Sequence, residues 1–339
     1  MLLLAALVVV TWALVLGSRP VSGDRTPVRV VISQGASARV VTNTLYKSRL
    51  IRSPLIFLVT CTMSGSNARL KPGVYEFSRS MNAPEIIRGL VEGKTLESWV
   101  TIPEGKNLRE IADILKRKQL ADDGAFLSLT TSTEDRLPDY DFLYGTNLEG
   151  YLFPDTYLIG RDSGAYDIVK KMLDTFSEKI VGPYRLEIEQ VIQKRFGLDE
   201  YGFAAGLHRL LVIASMVERE ARVPSDRPKI ASVIYNRLNK GMKLDIDATV
   251  SYRLGESRAN KPRVYYTDLA VDSPYNTYKH AGLPPAPICN PGLASFKAAL
   301  EPAETDALFY VAKKDGSHVF TKTIEDHNAA KQAIKDGKL

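Results

Sequence analysis

The sequence is short of the residues on which several common chemistries depend. Its two cysteines, Cys61 and Cys289, cannot form a disulfide scaffold; one long-range bridge and two free thiols both fit. Its four histidines, His208, His280, His318 and His327, show no metal-ligand spacing, and neither a metal nor a cofactor is expected. There is no Walker loop and no dinucleotide fingerprint. Ser215 and Ser232 fall inside helical patterns rather than at a nucleophile elbow. Cys289 has no histidine paired with it in sequence, so a thiol enzyme lacks support. Lysine and arginine are dispersed, no stripe for nucleic acid emerges, and a net charge of +6 selects no polyanionic partner by itself.

Charge is also missing from residues 1–17, MLLLAALVVVTWALVLG; the first ionisable side chain is Arg19. As a helix this stretch would cover about 25 Å, a little under the ~30 Å hydrocarbon core. A basic region ahead of the apolar run, usual in a cleaved signal, is lacking. The segment is read as a short single-pass membrane anchor, with a signal peptide and a buried helix as alternatives. Both exported readings put residues 20–339 outside the cytoplasm, although Arg19 and Arg25 then run against the positive-inside tendency.

What is present suggests an α+β protein. Residues 18–27 read as a linker. An imperfect repeat follows: VISQGASARVVTNTLYKSRLIRSPLIFL (31–58) against TIPEGKNLREIADILKRKQLADDGAFLSL (101–129). Ile32, Gly35, Leu45 and Leu50 match Ile102, Gly105, Leu115 and Leu120 at one offset, and each copy predicts a strand, a turn at glycine, an amphipathic helix and a second helix start. The boundaries expected are 28–95 and 96–147 for two strand–helix subdomains and 148–339 for a third domain. Within the last, helices are predicted between Gly164 and Phe196, over 225–242 with Asp226 as cap and Gly241 at C′, in FKAALEPA and at the C-terminus. A hairpin is predicted around Asp315-Gly316.

RLLVIASMVEREA (209–221) carries the sharpest chemical question. Leu207, Leu210, Leu211, Ala214, Val217 and Glu218 recur at three- and four-residue steps, so Glu218 shares a face with apolar side chains. Such neighbours desolvate a carboxyl and suit it to donate a proton. Glu220 points away and cannot work jointly with Glu218. Arg222, one turn on, would oppose the desolvation by pairing, and the plain alternative is a boundary salt bridge. Asp155, Asp245 and Asp247 are the candidates for a second acid, each equally a turn or cap residue. The aromatics Tyr151, Phe153, Tyr157, Tyr275 and Tyr278 suit either sugar stacking or core packing.

Five ordered segments together resemble the YceG-like family of endolytic murein transglycosylases (MltG): LEGYLFPDTY (148–157), IASMVEREA (213–221), IASVIYNRLNKGMKLDIDATVSY (230–252), SPYNTYKHAGLPPAPICNPG (273–292) and LFYVAKKDGSHVFTKTIEDHN (308–328). The resemblance implies a membrane-anchored, single-pass enzyme with its catalytic domain on the extracytoplasmic, periplasmic side of the cell membrane. It also implies a LysM-like substrate-binding region and proximity to peptidoglycan synthases. The implied reaction cleaves the β-1,4 bond between N-acetylmuramic acid and N-acetylglucosamine in nascent peptidoglycan glycan strands, leaving 1,6-anhydro ends without water or metal. The family's catalytic glutamate falls on Glu218. Its motifs imply binding roles for Tyr151, Phe153, Asp155, Asp245, Asp247, Thr249, Tyr252, Tyr275, Asn276, Thr277 and Tyr278. Two departures stand out: Asp245 and Ala248 occupy positions where the family has Gln and Pro, and Ala286 ends a Gly-Leu-Pro-Pro run where it has Gly. The alternatives are a muramidase using Glu218 with Asp245 or Asp247, and a non-catalytic wall-binding scaffold.

Overall fold

The computed structural model describes residues 12, 16–93, 95–132, 137, 140–161, 163–254, 265 and 267–339. Among the described residues no helix is long and apolar enough to cross a membrane. The anchor expected at residues 1–17 lies almost wholly outside them. The chain divides into two compact units, residues 1–101 with 156–163, and residues 102–155 with 164–339.

The first unit is built on a four-stranded antiparallel sheet in the order β1 (Pro27–Ile32), β2 (Gly73–Ser78), β3 (Glu97–Thr101), β4 (Thr156–Gly160). β1 and β2 pair over their full length, from Pro27↔Ser78 to Ile32↔Gly73, and β3 and β4 from Glu97↔Gly160 to Thr101↔Thr156. Alternation along β1 sends Val30 and Ile32 inward and leaves Arg29 and Val31 outside. α1 (Ala38–Lys47), α2 (Pro54–Met63) and α3 (Ala83–Glu92) supply Val41, Leu45, Phe57, Ile86 and Leu90 to one core with Tyr75 and Phe77. Cys61 is buried there as a free thiol, and Cys289 is likewise free and buried in the second unit.

The repeat predicted from sequence is present in backbone detail. Its second copy continues from β3 into α4 (Leu108–Arg117) and α5 (Asp123–Thr131). Gly35 and Gly105 both turn with left-handed φ, 76° and 77°. Ser37 and Asn107 cap the following helices. Arg49 and Gln119 are both left-handed after the helix, with φ 55° and 56°, and Leu50 and Leu120 each donate back to Leu45 and Leu115 at 3.0 Å. Equivalent apolar residues close each turn, because the same αL stop and the same backward bond recur.

The second unit is mainly helical. α6 (Ala165–Phe176) runs through a π turn into α7 (Gly182–Arg195), as expected between Gly164 and Phe196. α8 (Leu198–Glu220) is interrupted at Gly202, whose φ of 65° and ψ of 175° are not helical. From Leu207 to Val217 every residue of α8 except Arg209 is buried, and α7, α9 (Arg227–Asn239), α10 (Asp247–Leu254) and α11 (Leu293–Leu300) pack around it. The single apolar face predicted is therefore too narrow: Val212, Ile213 and Met216 are as buried as the predicted stripe, as in a central helix. Gly241 lies after α9 with φ 64°, as expected of C′. Asp226 holds the N-cap position of α9, as expected, but its side chain makes no capping bond; its carboxylate is taken by the backbone N–H and Nδ1 of His318, at 2.8 and 3.0 Å. The hairpin forms as β5 (Phe309–Ala312) and β6 (His318–Thr321), and α12 (Ile324–Lys335) follows it.

Leu45 and Leu115 occupy the same place in the two copies, and both are sealed from solvent. Leu45→Ala and Leu115→Ala should each cost about 2–5 kcal/mol, while Val40→Ala, on an exposed position, should stay within about 0.5 kcal/mol. Urea unfolding of the three variants against the parent checks this.

Candidate active site

The last turn of α8 is where the second unit turns from core to chemistry. Val217 is fully buried, and the side chain of Glu218 is 8% exposed. Its Oε2 accepts the backbone N–H of Gly292 at 3.0 Å. Gly292 is the N-cap of α11, so the carboxylate meets the positive end of a helix. Its Oε1 lies 3.8 Å from Arg227 Nη2, an ion pair beyond hydrogen-bonding distance. Arg227 is itself held by Nε donating to the Ser295 hydroxyl of α11 at 3.0 Å.

The cation beside Glu218 is therefore Arg227, not Arg222. The helix stops at Glu220, Ala221 is extended at φ −75° and ψ 120°, and Arg222 no longer lies one helical turn on. It lies instead against the turn at Gly316.

A second carboxylate stands beside Glu218, and sequence reasoning did not propose it. Glu104, in the turn after β3, is raised from its ordinary value by partial burial first and by the Glu218 charge second, with Arg227 opposing. Its carboxylate packs directly on the Cα of Gly292, where a side chain of any other residue would collide with it. The three aspartates proposed as a second acid are engaged elsewhere. Asp155 pairs with Lys179 at 3.4 Å, Asp245 with Arg237 at 2.9 Å, and Asp247 accepts from Tyr278 Oη at 2.6 Å.

Asn290 holds these segments together, and its role was also not legible in the sequence. It is fully buried. Its Oδ1 accepts from Gly150 N at 3.0 Å and Leu152 N at 2.9 Å. Its Nδ2 donates to Lys106 O at 2.9 Å and Glu149 Oε1 at 3.2 Å, its N–H donates to Lys106 O, and its carbonyl accepts from Gly105 N. The turn carrying Glu104 is thus tied to the loop that presents Gly292. Arg219 adds a bond from Nη1 to Gly105 O at 3.3 Å.

Glu149, 2% exposed, is the deepest carboxyl of the unit. It accepts from Leu108 N at the start of α4, from Tyr252 Oη at 2.9 Å and from Asn290. Burial pushes it up from 4.5 to about 8, against the donors that favour the charged form. Glu220 leaves the helix on another side, as expected, and accepts from Tyr310 Oη at 3.1 Å; burial lifts it to about 7.

The residues named from the family motifs fall into three groups. Asp245, Asp247, Thr249, Asn276, Thr277 and Tyr278 form one bonded cluster. Thr277 Oγ1 accepts from Ile246 N and lies 3.0 Å from Thr249 Oγ1, while Asn276 Nδ2 donates to Leu269 O and Val271 O. Tyr252 and Tyr275 form a tilted ring pair 5.1 Å apart beside Glu149. Tyr151, Phe153 and Asp155 make up the third group. Tyr151 is fully buried with its hydroxyl 3.0 Å from His208 Nδ1, so it has no face to offer a sugar and contributes packing. Thr249, Asn276 and Thr277 are also buried and act through the loops they fix. The unusual Asp245 sits at a left-handed φ of 53° and its charge is met by Arg237; Ala286 has no left-handed φ and so does not need glycine.

Among the described residues no cluster of histidine, cysteine, aspartate or glutamate could hold a metal ion. The chemistry on offer is proton transfer at Glu218, with donors arranged to hold its negative charge.

The YceG-like family model matches residues 30–333. The chain belongs to the YceG-like family. It is 36% identical over 337 residues to the endolytic murein transglycosylase of Bacillus subtilis (strain 168), covering 94% of this chain and 88% of that protein. It is 30% identical over 328 residues to the endolytic murein transglycosylase of Streptococcus pneumoniae serotype 2 (strain D39), covering 89% of this chain and 57% of that protein. A crystal structure of a putative yceG-like protein from Listeria monocytogenes matches with a TM-score of 0.58 at 35% identity, over 89% of this chain and 98% of that one.

Two predictions follow from the Asn290–Glu149 network. Asn290→Ala strands the N–H groups of Gly150 and Leu152, and should cost about 2–6 kcal/mol by urea unfolding, at about 1–3 kcal/mol for each buried unpaired group. Glu149 is raised in the folded chain, so its contribution to stability is complete below pH 4.5 and is lost as pH rises through about 8. In Glu149→Gln the fall in unfolding free energy between those pH values should shrink, leaving the smaller fall due to Glu220.

Proposed function

We propose that this chain is an endolytic lytic transglycosylase of murein, with Glu218 as its single acid and base. The observation that carries the reading is the setting of Glu218: a nearly buried carboxyl at the exit of an apolar helix, one oxygen bound to a helix N-terminus and an arginine beside the other. With Oε2 committed as acceptor to Gly292, Oε1 is the oxygen left to carry the proton. Family membership and the two transglycosylase relatives support the substrate class.

In the proposed reaction Glu218 gives its proton to the glycosidic oxygen, and the bond from that oxygen to C1 of N-acetylmuramic acid breaks. The C6 hydroxyl of the same sugar attacks C1, and the Glu218 carboxylate takes the hydroxyl proton. The products are a 1,6-anhydro end and a free 4-hydroxyl, and Glu218 is again protonated. Gly292 and Arg227 hold the negative charge that exists between the two transfers. The proposal keeps residues 28–95 as a LysM-like glycan-holding region, residues 1–17 as the membrane anchor, and the peptidoglycan synthases as neighbours that supply nascent strands.

The closeness of Glu104 to Glu218 favours one rival, a muramidase that uses both carboxyls and water. The ends of the product separate the two. Peptidoglycan digested by the protein should yield 1,6-anhydro ends by mass analysis, and Glu218→Gln should lower the rate by at least about 10²-fold with its melting temperature retained. Reducing ends, with Glu104→Gln as inactive as Glu218→Gln, would establish the hydrolase. Undiminished cleavage by Glu218→Gln would remove Glu218 from the reaction, and absence of any cleavage by the parent chain, with peptidoglycan binding retained, would leave a wall-binding scaffold.

A further inference from the structure

A cavity of about 590 Å³ opens within the second unit, floored by Glu149. That volume suits a small ligand or a short peptide end. The side chains around it have an unequal stock of hydrogen-bonding groups. Both Glu149 oxygens are taken by Leu108 N, Tyr252 Oη and Asn290 Nδ2. Asn107 Oδ1 accepts from Glu110 N and Asn147 Oδ1 from Glu149 N, at 2.9 and 2.8 Å, so each of these two cavity residues keeps its amide NH₂. Arg109 and Arg253 line the same cavity, and among the described residues neither guanidinium has a hydrogen bond or ion pair. What the cavity retains is therefore donors and positive charge, beside the tilted rings of Tyr252 and Tyr275.

Two observations connect this cavity to Glu218 within the unit. Asn290 bonds the cavity floor at Glu149, and two residues on Gly292 bonds Glu218. Gly105 lies against the Glu218 side chain, and three residues on Leu108 bonds Glu149. Both chain segments run directly from the reacting carboxyl to the cavity.

We infer that this cavity is a subsite for a carboxylate of the stem peptide carried by muramic acid, held by Arg109 and Arg253 and by the amides of Asn107 and Asn147. This deepens the transglycosylase reading and rests on it for the identity of the ligand. A peptide carboxylate supplies the acceptors and the negative charge that the cavity lacks, and a guanidinium binds it through paired N–H donors. The apolar stem of the peptide lies against the tyrosine pair. The strand is thereby fixed beside the bond that Glu218 cleaves, and strands stripped of peptide lose that hold.

The test measures binding, so it does not depend on turnover. The full chain carrying Glu218→Gln is titrated with a synthetic stem peptide, with the same peptide amidated at every carboxyl, and with inorganic phosphate. The free-acid peptide should bind, and amidation should weaken it by at least ~10-fold. Adding Arg109→Ala and Arg253→Ala should weaken the free-acid peptide at least ~10-fold, with the Arg109→Lys and Arg253→Lys pair in between. In the catalytically intact chain, the ratio of cleavage rates on peptide-bearing and peptide-stripped strands should fall toward one in the alanine pair. Failure of the alanine pair to fold leaves the lysine pair and the amidated peptide to decide. Absent binding, equal binding of the amidated peptide, indifference to the arginine changes, or phosphate competing as well as the peptide would each overturn the subsite. Absence of anhydro ends on every strand, with peptide binding intact, would overturn the reaction and leave the subsite standing.

Discussion

The buried amide of Asn290 is the constraint on which the candidate site depends. It joins the turn at 105–106, the loop at 149–152 and the segment leading to Gly292, three pieces of chain distant in sequence. Each polar atom of its side chain has two partners. A buried amide used this fully fixes one arrangement, because any shift leaves a backbone N–H or carbonyl without a partner in a place water does not reach. The Gly292 N–H that meets Glu218 and the carboxylate of Glu104 inherit their positions from it.

The same scaffold holds carboxyls in unlike surroundings. Glu149 is buried, lifted to about 8, and spent on Leu108, Tyr252 and Asn290. Glu218 stands at the edge of the core, its side chain 8% exposed, with a cation and a helix end to stabilise its charge. Only the second combination suits a group that must lose a proton and recover it within one reaction. The Glu149 oxygens are already engaged by protein donors, which leaves none free to exchange a proton with a substrate.

Much of the local architecture was legible because its signals are local. The glycine turns, the stop at Gly241 and the Asp315-Gly316 hairpin each act within a few residues. Glu218 stood out as a candidate because an apolar run ended on it. Asn290 and Glu104 were not, since an isolated asparagine or glutamate in a turn says nothing about partners more than a hundred residues away. Arg222 misled for a related reason: the i, i+4 rule holds only while the helix continues, and the helix ends at Glu220. Asp226 has the residue type of a cap, yet a buried histidine across the unit competes for it and wins. The aromatic Tyr151 was ambiguous by nature, because a sugar platform and a packed core use the same ring.

The spacing of Glu218 and Glu220 acquires a purpose once both side chains are placed. Two residues apart on a helix, they leave it in nearly opposite directions, so one can meet the start of α11 while the other meets the hairpin. Glu220 is bound by Tyr310 of β5 and lies beside Asp247 and the backbone N–H of Ala248. It ties the end of α8 to the hairpin and to the start of α10. A helix terminus is normally its most frayed part, with carbonyls unpaired and few neighbours. Here that terminus is clamped on one side by Glu220 and on the other by Glu218 against α11. Glu218 thereby stands on a fixed support, and Glu220, which points away from it, supplies part of that support.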